Sequence, residues 1–168
     1  MATGAYTPKE KWMKAAISAG RDAELHGEVP IGSVLVADEE LIATGETMVA
    51  RRGPVAHGEN TLLEELGSRV WGLPHPLVLY STLEPCMMCL GACINAGIDV
   101  VVYGTPASTD GGAWILRIPE VSRKIPGGTL TLIDGYLESE TTALLRGYLD
   151  TSSNEGGTTY VRSLLSGD

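Results

Sequence analysis

The sequence predicts an α/β fold, one mixed sheet covered by helices on both faces. Apolar runs suited to buried strands, such as "PLVLYST" and "DVVVYG", alternate with helical apolar stripes. The elements follow the order α-β-β-α-β-α-β-β-α, and strands interleaved with helices form layered sheets. The 168 residues amount to about one domain, long enough to bury a core without staples. No internal repeat, low-complexity segment or domain boundary is visible, so residues 1–168 are expected to form a single domain.

Taken in order, Thr7-Pro8-Lys9-Glu10 reads as a helix start, with Thr7 as N-cap, Pro8 at the first helical position and Glu10 completing a capping box. Trp12, Met13, Ala16, Ile17 and Leu25 continue that helix to about His26. "VPIGSVLVA" (29–37) and "LIATGE" (41–46) form a hairpin across Asp38-Glu39-Glu40, and "TMVARRGPVA" follows as a polar loop. Leu62, Leu63, Leu66 and Val70 share one face of a helix over 57–70. A strand over 76–82, a helix over 86–97 with Gly97 as C-cap and a strand over 99–104 come next. Residues 105–128 read as a long irregular connection, 129–134 as the last strand and 138–150 as a helix. "TSSNEGGTT" reads as a loop before a short terminal helix, "YVRSLL".

Composition narrows the function. Hydrophobic residues make up 43% and charged residues 20%, ordinary for a soluble globular chain. No apolar run reaches the roughly 18–20 residues of a membrane helix, and "MATGAYTPKEKWMK" lacks the n-region and h-region of a secretory signal. The expectation is a cytoplasmic protein with no membrane partner. A net charge of −9, with Arg51–Arg52 and Arg123–Lys124 the only adjacent basic pairs, disfavours a nucleic-acid partner. Cys86, Cys89 and Cys93 lie within eight positions, which argues against a disulfide scaffold and for a metal or reactive site.

Cys86 and Cys89, in "STLEPCMMCLG", fit three chemistries. A thiol redox pair would use the helix N-terminus to lower its pKa, and local sequence does not exclude it. A structural zinc ribbon needs a second CxxC, which is absent. A catalytic zinc site needs a histidine and a nearby acid, and "PVAHGEN" supplies His57 and Glu59 at the start of another helix. Catalytic zinc keeps three protein ligands and one open position. H-x-E followed by P-C-x-x-C, one helix and one strand apart, is the pattern of zinc deaminases acting on nucleobases.

On "GEVPIGSVLV", "AHGENTLLEE" and "LYSTLEPCMMCLGACINAGIDVVVYG", the sequence resembles the cytidine and deoxycytidylate deaminase superfamily over roughly residues 27 to 104. It looks most like the branch holding cytosine deaminase of the yeast type, bacterial guanine deaminase and tRNA adenosine deaminase. The resemblance implies a three-layer α/β/α sandwich around a five-stranded mixed sheet, with a homodimer as the usual assembly. It implies Zn2+ held by His57, Cys86 and Cys89, a zinc-activated hydroxide as nucleophile, and Glu59 as the proton shuttle. It also offers the Gly58 N–H and the Glu84 carbonyl as contacts to the base.

Many family members carry an asparagine after the second strand, where this chain has Glu46 and Thr47. A glutamate there would accept from ring N–H groups, suiting guanine or an aminated triazine over cytosine; otherwise Glu46 is a solvated hairpin residue. Trp114 is offered as a stacking surface or a core residue, and Glu155 and Tyr160 as groups from the tail that close the pocket. Cys93 reads as a small buried hydrophobe, and His26 and His75 as structural or solvated.

The leading expectation is a zinc-dependent aminohydrolase acting on a small free nucleobase or related heterocyclic amine. The alternatives are a tRNA adenosine deaminase, disfavoured by the acidic balance, and a non-catalytic zinc or thiol module.

Overall fold

The computed structural model describes residues 6–125 and 130–166. Five strands form one sheet in the order β2-β1-β3-β4-β5. Strands β1 (Gly32–Ala37) and β2 (Glu40–Glu46) are an antiparallel hairpin, and β3 (Leu77–Leu83) pairs antiparallel to β1. Strands β4 (Val100–Thr105) and β5 (Thr131–Ile133) add in parallel to β3, each after a crossover. The hairpin turn is tighter than expected: Ala37 pairs with Glu40, leaving Asp38 and Glu39, both with positive φ, as a two-residue loop. That geometry matches the right-handed strand twist.

Alternation along the strands sorts side chains into two cores. Leu35, Leu77, Leu79, Val101 and Tyr103 face Leu62, Leu66, Leu90 and Cys93 of α3 (Gly58–Leu66) and α4 (Met87–Ala96). Val34, Val36, Val78, Tyr80, Val100 and Val102 face Trp12, Met13, Ala16 and Ile17 of α1 (Glu10–Leu25), with α7 (Glu138–Thr151) beside it. This is a three-layer α/β/α sandwich on a five-stranded mixed sheet.

Several boundaries differ from the sequence expectation, each for a tertiary reason. Helix α1 starts at Glu10 with Lys9 extended and no side-chain cap, because the Lys9 N–H donates to the Tyr80 hydroxyl (2.9 Å) and the Pro8 carbonyl accepts from Tyr136 (3.2 Å). Helix α3 stops at Leu66, where Gly67 takes a positive φ and a 3-10 turn carries the chain to Gly72. The polar loop after β2 holds a single helical turn, α2 (Val49–Arg52). The connection after β4 holds α5 (Ala113–Leu116) and α6 (Pro119–Ser122). Its end at residues 126–128, and Thr129 at the start of the expected last strand, lie outside the described residues.

The tail departs most. Helix α8 (Glu155–Leu165) begins inside the stretch expected to be a loop. The Asn154 side chain accepts from the Gly157 N–H at 2.9 Å and caps it. Val161 and Leu164 then pack with Leu145 and Tyr148 of α7 and with Ile31 and Leu83 at the ends of β1 and β3. Among the described residues no helix is long and apolar enough to cross a membrane.

Candidate active site

Two helix starts meet at one end of the sheet. His57 precedes α3 and Cys86 precedes α4, each extended, and neither side chain caps its own helix. Both are therefore free to turn toward each other, and Cys89 joins them from the first turn of α4. Cys86 Sγ lies 3.7 Å and Cys89 Sγ 3.6 Å from His57 Nδ1, with the sulfurs 3.6 Å apart. A tetrahedral zinc with bonds of about 2.3 Å to sulfur and about 2.0 Å to nitrogen spaces its donors by about 3.5–3.8 Å. The donors fit that ion, and the trio is the one such cluster found among the described residues.

A close backbone approach puts α3 in place. A Cβ on Gly45 of β2 would collide with the carbonyl oxygen of Gly58, so strand and helix start come together only because residue 45 is glycine. Glu59, in the first turn of α3, is 3% exposed, and its Oε1 accepts from Ser81 Oγ of β3 at 2.7 Å. Ser33 of β1, paired across from Ser81, donates to that same hydroxyl at 3.4 Å.

The thiols share protons unequally. The hydrogen bond between the two thiols takes Cys86 down to about 4 against the effect of burial, and His57 adds to this. Cys89 is pushed up by that bond and by burial. Bonding with Cys86 raises His57. Tyr160 is raised by burial and by the Asp110 carboxylate, to which its hydroxyl donates at 2.9 Å.

His57, Glu59 and Cys86 lie on a cavity of about 350 Å³, within the size range of small-ligand sites. Its other walls come from Val29 and Ile31 before β1, Thr47, Val49, Ala50 and Pro54 in and around α2, Leu83 to Pro85, Asp110, and the start of α8. Glu84 lies on the cavity, but its carboxylate accepts from the Ala107 N–H (3.1 Å) and the Ala113 N–H (3.0 Å). It straps the loop that carries Asp110 onto the segment that carries Cys86.

Of the other residues singled out from sequence, Thr47 is buried on the cavity wall and Gly58 sits at the first position of α3. Glu46 is not brought to the cavity: its carboxylate accepts from Arg51 Nη2 (2.8 Å) and pairs with His26 Nδ1 (3.0 Å) on the far side of the loop. Trp114 is 54% exposed and Glu155 points to solvent, and neither lines the cavity, whereas Tyr160 does. Cys93 is fully buried in the core, and His75 pairs with Asp99 at 2.6 Å. Sequence reasoning missed Glu28, Asp110 and Asn154 on the cavity. Asn154 followed three residues later by an N–H free to be capped was a legible cap signal, but the two following glycines masked it.

The family model for the cytidine and deoxycytidylate deaminase zinc-binding region matches residues 6–105, which include His57, Glu59, Cys86 and Cys89. The chain is 43% identical over 97 residues to the tRNA-specific adenosine deaminase of Buchnera aphidicola subsp. Schizaphis graminum, covering 55% of this chain and 63% of that protein. It is 41% identical over 103 residues to the tRNA-specific adenosine deaminase of Bacillus subtilis, covering 58% of this chain and 62% of that protein. It thus spans somewhat under two thirds of those relatives. A solved structure from a study of A-to-I editing by tRNA:A34 deaminases at the wobble position of transfer RNA superimposes with a TM-score of 0.67 at 28% identity, covering 82% of this chain and 100% of that one.

These likenesses correct two expectations from the sequence, a small free heterocyclic amine as substrate and nucleic acid as a disfavoured partner. The charge argument failed because net charge averages over the whole surface. The argument from Glu46 failed because that carboxylate faces Arg51 and His26. By its matched region, its fold and its donor set, this chain belongs to the cytidine and deoxycytidylate deaminase zinc-binding family.

Proposed function

We propose that this chain is a zinc-dependent aminohydrolase that converts adenosine to inosine in tRNA. The observation that carries the proposal is the identity of 43% and 41% to tRNA-specific adenosine deaminases, in a chain whose matched region holds a zinc donor set beside a buried carboxylate. His57, Cys86 and Cys89 are the metal ligands in this reading, and Glu59 is the proton carrier. Bound zinc contributes Lewis acidity that makes water nucleophilic at neutral pH.

Glu59 does the rest of the proton work. As water adds to the ring carbon that bears the amine, Glu59 takes the water's proton and delivers it to the adjacent ring nitrogen. It then moves the hydroxyl proton to the amine, the carbon–nitrogen bond breaks, and ammonia leaves with the ring as inosine. Thr47, the Gly58 N–H and the carbonyl of Glu84 are proposed to hold the base.

Residues 1–168 are read as one deaminase domain, supported by the single sheet to which both halves of the chain contribute strands. A homodimer and a cytoplasmic location complete the reading; sedimentation of the purified protein and fractionation of cells test them.

The deciding experiment incubates zinc-quantified protein with unmodified tRNA carrying adenosine at the wobble position, and separately with free cytosine, guanine and adenine. Inosine in tRNA without ammonia from the free bases is the expected result. Ammonia from a free base with tRNA unchanged would overturn the proposal. Full zinc with no product from any substrate would leave a zinc-binding module.

A further inference from the structure

Glu28 is 2% exposed, lies on the cavity wall, and precedes β1. Its carboxylate accepts three hydrogen bonds from a segment about twenty residues on. Oε2 takes the Ala50 N–H at 2.9 Å, and Oε1 takes both the Arg51 N–H and Arg51 Nε at 3.1 Å. Those N–H groups belong to the first turn of α2, whose own N-cap, Met48, supplies no side-chain bond. A four-residue helix does not hold itself in water, and its free N–H groups need acceptors. Glu28 caps this one from a distance and places a carboxylate where the helix start favours negative charge.

The consequence reaches the cavity. Thr47, Val49, Ala50, Pro54 and His57 all line it, and all lie in or next to the loop that Glu28 pins. The loop is also closed on itself, by the Met48 N–H on the Ala56 carbonyl at 2.8 Å. It hangs from β2 at one end and runs into α3 at the other, with Glu28 as the buried anchor between. Arg51 extends the anchor outward to Glu46 and His26.

We propose that Glu28 is a positioning residue, which touches no reacting atom but fixes the Thr47–Pro54 wall against which the target base is held. The inference rests on the deaminase reading of the cavity. Loss of the anchor loosens the wall and weakens the hold on the base, while the zinc donors and Glu59, set by α3, α4 and Ser81, stay in place.

The test is Glu28→Gln, which keeps shape but removes charge, with Glu28→Asp, which keeps charge but shortens the reach. Two readouts are taken. Amide hydrogen exchange at Ala50 and Arg51 requires no activity: the proposal expects slow exchange in the wild type, about tenfold or faster exchange in Glu28→Gln, and an intermediate rate in Glu28→Asp. Steady-state kinetics on tRNA should show KM raised about tenfold and kcat within about threefold, with zinc per chain unchanged. Unprotected amides in the wild type, or exchange unaltered by either variant, would overturn the proposal, as would a fall in kcat at constant KM. A wild type inactive on tRNA but with the expected exchange pattern would count against the tRNA reading and not against the anchor.

Discussion

The hydroxyl of Ser81, in β3, holds the carboxylate of Glu59, at the start of α3, through a hydrogen bond of 2.7 Å between two buried side chains. A strand and a helix start thereby fix an acid beside the metal donors. Ser81→Ala leaves the Glu59 carboxylate without that donor. The expected outcome is a stability loss of about 1.5–3 kcal/mol, the range for hydrogen bonds to charged groups, with a fall in kcat that exceeds any change in KM. Denaturant unfolding and steady-state kinetics measure the two.

Glu59→Gln keeps volume and buried packing but cannot carry a proton. We expect turnover to fall by about 10²–10⁴-fold, the usual contribution of a positioned acid–base group. Zinc content and melting temperature should stay near wild type. Retained turnover would remove Glu59 from the proposed mechanism.

Cys86→Ala removes one of three donors packed within hydrogen-bonding range of one another. Zinc per chain should fall about tenfold or more, and the melting temperature should drop with it, because metal binding contributes to folding. Chelation of the wild type should reproduce the same drop. Metal analysis and thermal unfolding, with and without added zinc, check this.

Burial alone would raise Glu46, but hydrogen bonds from Arg51 and His26 outweigh it and leave the carboxyl below its ordinary 4.5. A carboxyl depressed in the folded state stabilises fully above its unfolded value and loses that contribution as pH falls through the folded one. Glu46→Gln is therefore expected to cost about 0.5 kcal/mol at pH 7, small because solvent screens the pair. The difference should shrink and then vanish as pH falls below 4.5 and through the depressed folded-state value. Unfolding curves of both proteins across that range test the sign.

The site and the fold were legible to different depths. Strand β3 and helix α4 announce themselves, the first by the apolar run Leu77–Tyr80 and the second by its cysteines and the Gly97 cap, whose φ of 79° is the left-handed turn expected there. Helix α2 was hidden because its stability lies in Glu28, about twenty residues away, and no local periodicity records that bond. Helix α8 was hidden by Gly156 and Gly157, poor helix formers, held by the Asn154 cap and by burial of Val161 and Leu164. Residues near the motif were legible as neighbours but not as contacts: Glu46 and Thr47 are adjacent in sequence, yet one faces Arg51 and the other the cavity.

By itself the sequence determined the layered α/β class, the metal-binding chemistry and the family, because residue type and spacing encode helix starts, strand burial and donor sets directly. The tertiary structure alone decided which carboxylates reach the cavity, which are spent on backbone N–H groups, and how the tail closes it. Those outcomes depend on where distant segments meet, and a pairing such as Glu28 with Ala50 leaves no trace in the local pattern of either segment.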